Sequence, residues 1–107
     1  MRTKILVVDN DHATLSRIYL ALVHRNYKVE ASDNPQEITE RIKRFRPALL
    51  IIGENEYASL NLKFKIPCIL LVAKVNRVPT VDGEEIYQIE NPVQIDALVK
   101  KIEEVVV

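Results

Sequence analysis

The chain has 107 residues, 48% of them hydrophobic, and fifteen lysines and arginines balance fifteen acids. That length suits one domain, residues 1–107, able to bury its own core, while zero formal net charge leaves no field to gather nucleic acid or an anionic membrane. A single cysteine, Cys68, excludes an internal disulfide and a CxxC pair, and the apolar runs are too short for a signal peptide or for the ~20 residues of a membrane span, so a soluble protein of the reducing cytoplasm is expected.

Strand and helix signals alternate along the chain. Lys4 to Val8 is a short β-branched run that stops at Asp9-Asn10-Asp11, a cluster too polar to stay inside a sheet without partners. Leu15, Ile18 and Leu22 then recur at helical spacing, which predicts a first helix from His12 to about Arg25, capped by Asp11 or Asn10. Val29 and Ala31 alternate with Lys28 and Glu30, the pattern of a half-exposed strand near a sheet edge.

Asn34-Pro35-Gln36-Glu37 joins a capping side chain, a proline at the first helical position and an acid three residues after the cap, so a second helix starts there. Its apolar face is Ile38, Ile42 and Phe45. Arg41, Lys43, Arg44 and Arg46 lie among Gln36, Glu37 and Glu40, which describes a solvated face and not a nucleic-acid contact. Pro47 ends the helix. Ala48-Leu49-Leu50-Ile51-Ile52, closed by Gly53, is continuously apolar and predicts a central strand covered on both faces.

Beyond Gly53 the pattern weakens. Glu54 to Leu60 suits a turn or two of helix, and Leu60, Leu62, Phe64 and Ile66 then alternate with polar residues in a short, partly extended connection. Pro67 to Val72 is a second interior strand, with Cys68 a packed small hydrophobe. Between Ala73 and Glu85 the spacing of Val75, Val78 and Val81 is broken by Pro79 and Asp82-Gly83, so a loop with at most one helical turn is expected. Ile86 to Ile89 forms a last strand, and Ile95, Leu98, Val99 and Ile102 give a closing helix its core face. His12 and His24 are read as surface residues.

Five strands joined by helix-sized crossovers imply an α/β fold, a doubly wound parallel sheet of flavodoxin-like order 2-1-3-4-5 with helices on both faces. Ligands of such sheets bind at the carboxyl ends of the strands where the order reverses, here between strands one and three. Asp9, Asn10, Asp11, Gly53, Glu54 and Val72 fall there.

Three stretches carry a resemblance: Lys4 to Asp11, Arg46 to Ile52, and Ile66 to Leu71, followed by Asn91-Pro92 before the last helix. Together they resemble, along the whole chain, the receiver domains of two-component response regulators. In that family two acids after strand one and an aspartate ending strand three hold magnesium, and the last aspartate accepts phosphate. A threonine or serine ending strand four and a lysine after strand five sense the phosphoryl group. Carried over by position, Asp9 matches the first acid and Asn10 stands where the second usually is. The phosphoacceptor position is Gly53, the hydroxyl position Val72 and the lysine position Asn91. Glycine offers no carboxylate for an acyl phosphate. Val72 cannot hydrogen-bond a phosphate, and Asn91 brings a neutral amide where a fixed cation is expected. Asp9 is the one clearly retained magnesium ligand, so any metal site should be weak.

The resemblance therefore implies a degenerate receiver, a pseudo-receiver, with no catalytic residue and no cofactor beyond weak magnesium, and a residual acidic pocket of Asp9, Asn10 and Asp11. Its partner would be a protein, a kinase or an output protein of two-component signalling or a phosphorelay; nucleic acid and membranes are not expected partners. Set against the family, the third helix is expected to be shortened and the fourth degraded; Asn91-Pro92 reads either as the family's cis bond, with the last helix starting near Gln94 or Ile95, or as a helix cap with proline at the first position; and the switch-aromatic position falls on Gln88, so either the register slips by one to Tyr87 or the aromatic is absent. Glu54 swinging into the acceptor pocket is set against its pointing to solvent, and Asp11 as a ligand against Asp11 as a helix cap. Two other readings stay open: a small divalent-metal- or ligand-binding module using Asp9, Asp11 and Glu54, and a homodimer through the last helix or the Val75-Val78-Val81 loop.

Overall fold

A computed structural model describes residues 2–59, 66–73 and 86–106 of the chain. Among these, β1 (Lys4–Val8), β2 (Lys28–Ser32), β3 (Leu49–Gly53), β4 (Cys68–Val72) and β5 (Ile86–Glu90) pair in parallel in the order β2-β1-β3-β4-β5. The expected doubly wound sheet is therefore present. Register aligns Val8 with Ile52, Gly53 with Leu71 and Val72 with Glu90. The residues just past the strands, Asp9, Glu54, Ala73 and Asn91, thus emerge at the same end of the sheet.

Successive side chains of a strand point to opposite faces, and here both faces are covered. Ile5, Val7, Leu49, Ile51, Ile69 and Leu71 pack with Ile18 and Leu22 of α1 (His12–His24) and Leu98 and Ile102 of α4 (Ile95–Val106). Leu6, Val8, Leu50, Ile52, Leu70 and Val72 pack with Ile38, Ile42 and Phe45 of α2 (Ile38–Phe45). This is why the central strands are apolar at every position: each residue serves one of two cores. Burying each large aliphatic side chain contributes about 1.5–3 kcal/mol.

The helix ends follow local chemistry. Asp11 caps α1, its side chain accepting from the Ala13 amide. At the other end Asn26 takes a left-handed conformation, φ 66°, and its amide and that of Tyr27 donate to the carbonyls of Val23 and Leu22, the paired closure that satisfies orphan carbonyls. The second helix begins differently from expectation. Asn34 caps the Gln36 amide, but Pro35–Glu37 wind as a tight 3-10 turn before α2 proper starts at Ile38. Arg46, also left-handed at φ 53°, then reverses the chain ahead of Pro47.

β3 runs directly into α3 (Glu54–Ser59). The Asn91-Pro92 bond is cis and α4 begins at Ile95. Arg17 of α1 donates to the Val93 carbonyl and fastens this junction. Cys68 is buried, donating to the Ile66 carbonyl at 3.3 Å. Of the basic residues on the second helix, Arg41 pairs with Glu30 at 3.1 Å and Glu37 at 3.7 Å, as a solvated face requires. The extended connection expected at residues 60–65, the degraded helix at 74–85 and the Val75-Val78-Val81 surface lie outside the described residues. Among the described residues no helix is long and apolar enough to cross a membrane.

Candidate functional site

The ends of β1, β3 and β4 and the start of α3 enclose an open cleft of about 510 Å³. Asp9, Asn10 and Asp11 form one wall, Gly53, Glu54 and Glu56 the floor and second wall, and Asn91 closes the far side. The fold thus brings together the three residues expected to form a residual acidic pocket. Val72 is the exception among the expected site residues. Its side chain is buried with Leu6, Val8 and Ile52 in the core beneath α2, and the neighbouring Leu71 and Ala73 line the cleft in its place. The alternation along β4 decides this, because Val72 shares a face with Leu70.

Each wall residue has a traceable occupation. The Asp9 carboxylate, only 7% exposed, accepts from the Asp11 amide at 2.9 Å. Its burial raises its pKa above the usual carboxylate range, partly offset by that amide, with the charge of Glu56 raising it further. Asp11 is exposed and spends both oxygens locally, one on the Ala13 amide and one on the Thr14 hydroxyl at 2.7 Å. The Thr14 hydroxyl, followed by the backbone amides, holds the Asp11 pKa low. Asp11 is thus a helix cap, and Glu54 is exposed to solvent. The backbone N–H of Asn91 donates to the Val72 carbonyl at 2.7 Å and ties β5 to β4. His12 pairs with Asp33 at the surface.

The residue that enters the acceptor position is Glu56, which no sequence pattern singles out. A Cβ placed on Gly53 would meet Glu56 Oε2 closer than real Cβ contacts come, with Cδ at 3.2 Å and the Asp9 Cγ at 3.7 Å. Glu56 is only 6% exposed, and its Oε1 accepts from the Asn10 amide at 3.1 Å. A geometric signal exists nonetheless. Position 56 is three residues beyond the end of β3, and in a helix that begins there, three residues are close to one full turn. Adjacency in sequence points to Glu54, whereas helical geometry turns Glu56 back over the strand end.

Four carboxylates line the cleft, and among the described residues no lysine, arginine or histidine does. A magnesium ion suits hard oxygens in a near-octahedral shell. Here Asp9 and Glu56 converge, but each already accepts from a backbone amide, and Asp11 is committed to its helix. Among the described residues no three acidic, histidine or cysteine side chains come together as an ion site. The donors therefore do not fit a dedicated magnesium centre, nor do Asp9, Asp11 and Glu54 assemble into one. The chemistry left to the cleft is that of an acidic, anion-repelling surface.

No family model matches the sequence, and no curated protein matches it. A response regulator from Thermotoga maritima superposes with a TM-score of 0.78 at 21% identity, over 99% of this chain and 98% of that one. A response-regulator signal receiver domain from Bermanella marisrubri gives 0.76 at 20% identity, and the N-terminal domain of the nisin resistance regulator 0.78 at 20%, each covering 100% of both chains. Together with the strand order and the cleft at the carboxyl ends of β1 and β3, these likenesses establish that the chain has the fold of response-regulator receiver domains.

Proposed function

We propose that this chain is a pseudo-receiver: a one-domain signalling module of the cytoplasm that works through contacts with a protein partner, a kinase or an output protein, and accepts no phosphoryl group at residue 53. One observation carries the reading. The position from which an acceptor carboxylate would project is Gly53, and the space above it is taken by the Glu56 side chain. The surroundings support it. A phosphoryl donor is an anion, and the cleft offers it four carboxylates, a neutral Asn91 and no described cationic side chain. No hydroxyl stands at the end of β4, where Val72 faces the core. The module has no catalytic residue of its own and no cofactor, and Asp9 offers magnesium no more than a weak site.

Incubation of the purified chain with acetyl phosphate and magnesium, followed by intact-mass and peptide mass spectrometry, tests the reading. An unmodified protein is expected. A stable phosphoryl adduct on Asp9, Glu54 or Glu56 would overturn it.

A further inference from the structure

We propose that Glu56 is a built-in occupant of the acceptor position. Its carboxylate fills the space a side chain at residue 53 would take and ties the β1–α1 loop to α3, so the fold itself holds this face in one arrangement. The inference rests on the reading that residue 53 accepts no phosphoryl group, and it adds which group stands in that place and how that group fixes the loop beside it.

Three independent observations converge on Glu56. The first is space. From bond lengths and angles an aspartate holds its oxygens about 2.4 Å from its own Cβ, and Glu56 Oε2 stands about that far from the Cβ position of Gly53. A glutamate arriving from the next turn thus brings its oxygen to the same distance as an aspartate at 53 would. The second is burial. Glu54, Asn55, Ala58 and Ser59 are exposed, while Glu56 between them is withdrawn from solvent. Carboxylates are seldom so buried without partners. The third is the partner: the Asn10 amide donates to Glu56 Oε1 at 3.1 Å across 46 residues of chain, extending the β1–β3 pairing past the last aligned residues, Val8 and Ile52, into the loop and helix that follow.

Gly53 and Glu56 are therefore interdependent. Glycine suits position 53 not for its backbone freedom but for the absence of a Cβ, because a methyl group there would make the far end of the Glu56 side chain shift from its place. Without Glu56, the glycine would leave a void beside Asp9 and the Asn10 amide would lose its acceptor. The position of the β1–α1 loop relative to α3 is thereby set at folding, by a group the chain carries permanently. A partner that meets this face meets one state of it.

A double-mutant cycle on the full chain tests the pair. Gly53→Ala, Glu56→Ala and the double variant are compared by thermal denaturation, and amide hydrogen exchange is followed at Asn10. Gly53→Ala is expected to lower Tm by about 4–8 °C with Glu56 present and by less than half of that in the Glu56→Ala background. Exchange at Asn10 should quicken about 10-fold in Glu56→Ala, the loss of one hydrogen bond to a charged acceptor. Glu56→Gln, which keeps an acceptor oxygen, should retain most of the protection. If Gly53→Ala does not fold, exchange at Asn10 in the two Glu56 variants decides alone. Additive Tm changes, or an Asn10 amide indifferent to Glu56→Ala, would overturn the proposal. Neither measurement contains a phosphodonor, so such a result leaves the absence of phosphorylation standing, while a phosphoryl adduct sinks that reading without touching the cycle.

Discussion

Replacing Gly53 by aspartate puts a third carboxylate beside Asp9 and Glu56, and the geometry makes it a destabilising change, not a repair. The new Cβ would lie 3.7 Å from the Asp9 Cγ and 3.2 Å from the Glu56 Cδ, so its carboxyl group would stand among theirs, and about 4 Å serves as a round separation for a Coulomb estimate. At that separation, with an effective dielectric constant of ~20, each like-charge pair costs about 4 kcal/mol. Proton uptake caps the cost. An ordinary carboxyl titrates about three pH units below neutrality, so neutralising one of the three at pH 7 takes about 4 kcal/mol. Displacing Glu56 from its space adds about 1–3 kcal/mol. The sum, about 5–7 kcal/mol, is comparable with the whole stability of a domain, ~5–15 kcal/mol.

The pH dependence has a definite sign. Crowded carboxylates have raised pKa values in the folded state, so the penalty is complete above the raised values and disappears as pH falls towards the ordinary range. Urea denaturation followed by circular dichroism is the assay. Gly53→Asp should be near its unfolding limit at pH 7 and should recover much of its deficit at pH 4.5, and Glu56→Gln in the same chain should restore stability at pH 7. A Gly53→Asp midpoint equal to that of the parent at pH 7, or a deficit independent of pH, would refute the reasoning.

Other expectations are simpler. Because burial, with Glu56 contributing, holds the Asp9 carboxyl above the usual range, its ionised form is disfavoured in the fold; Asp9→Asn should raise Tm at pH 7, with the gain vanishing towards pH 4. Asp11→Ala removes the α1 cap and should cost about 1 kcal/mol in chemical denaturation. Ile51→Ala, at a fully buried position in the centre of β3, should cost about 2–5 kcal/mol. Calorimetric titration with magnesium should show no saturation below millimolar concentration, and tight binding would contradict a cleft in which Asp9, Asp11 and Glu56 already accept from backbone amides.

Most of the framework was legible because its signals are local. Continuous apolar runs at Leu49 to Ile52 and Cys68 to Val72 could only be interior strands of a sheet covered twice, and the thinner alternation at Lys28 to Ala31 placed β2 at an edge. Asp11 and Asn34 announced caps that are present. The left-handed residue Asn26, which closes α1, is a signal that apolar periodicity does not weigh. The cleft was legible in its members and not in its geometry. That Gly53 lacks a carboxylate is a fact of sequence; that Glu56 supplies one depends on where α3 begins, and a shift of one residue would have turned a different side chain inward. Val72 ends β4 as its apolar run suggested, but proximity along the chain does not say which side of the sheet a residue serves, and its side chain packs in the core beneath α2.

A sheet that is oily on both sides raises a question of alignment. Where one surface is wet, sliding a strand by a single residue exposes its greasy side and is forbidden on that ground. In β1 and β3 such a slide would simply exchange Leu6 for Val7, or Ile51 for Ile52, between two equally dry compartments. What pins the alignment must therefore be the punctuation at the strand termini. Pulling Asp9 inward would drag a carboxylate among hydrocarbons, and the rigid ring of Pro67 sits immediately before β4 with no amide to offer a neighbour. On this view Asp9 has a duty that owes nothing to ions or phosphate: it marks where the strand must stop.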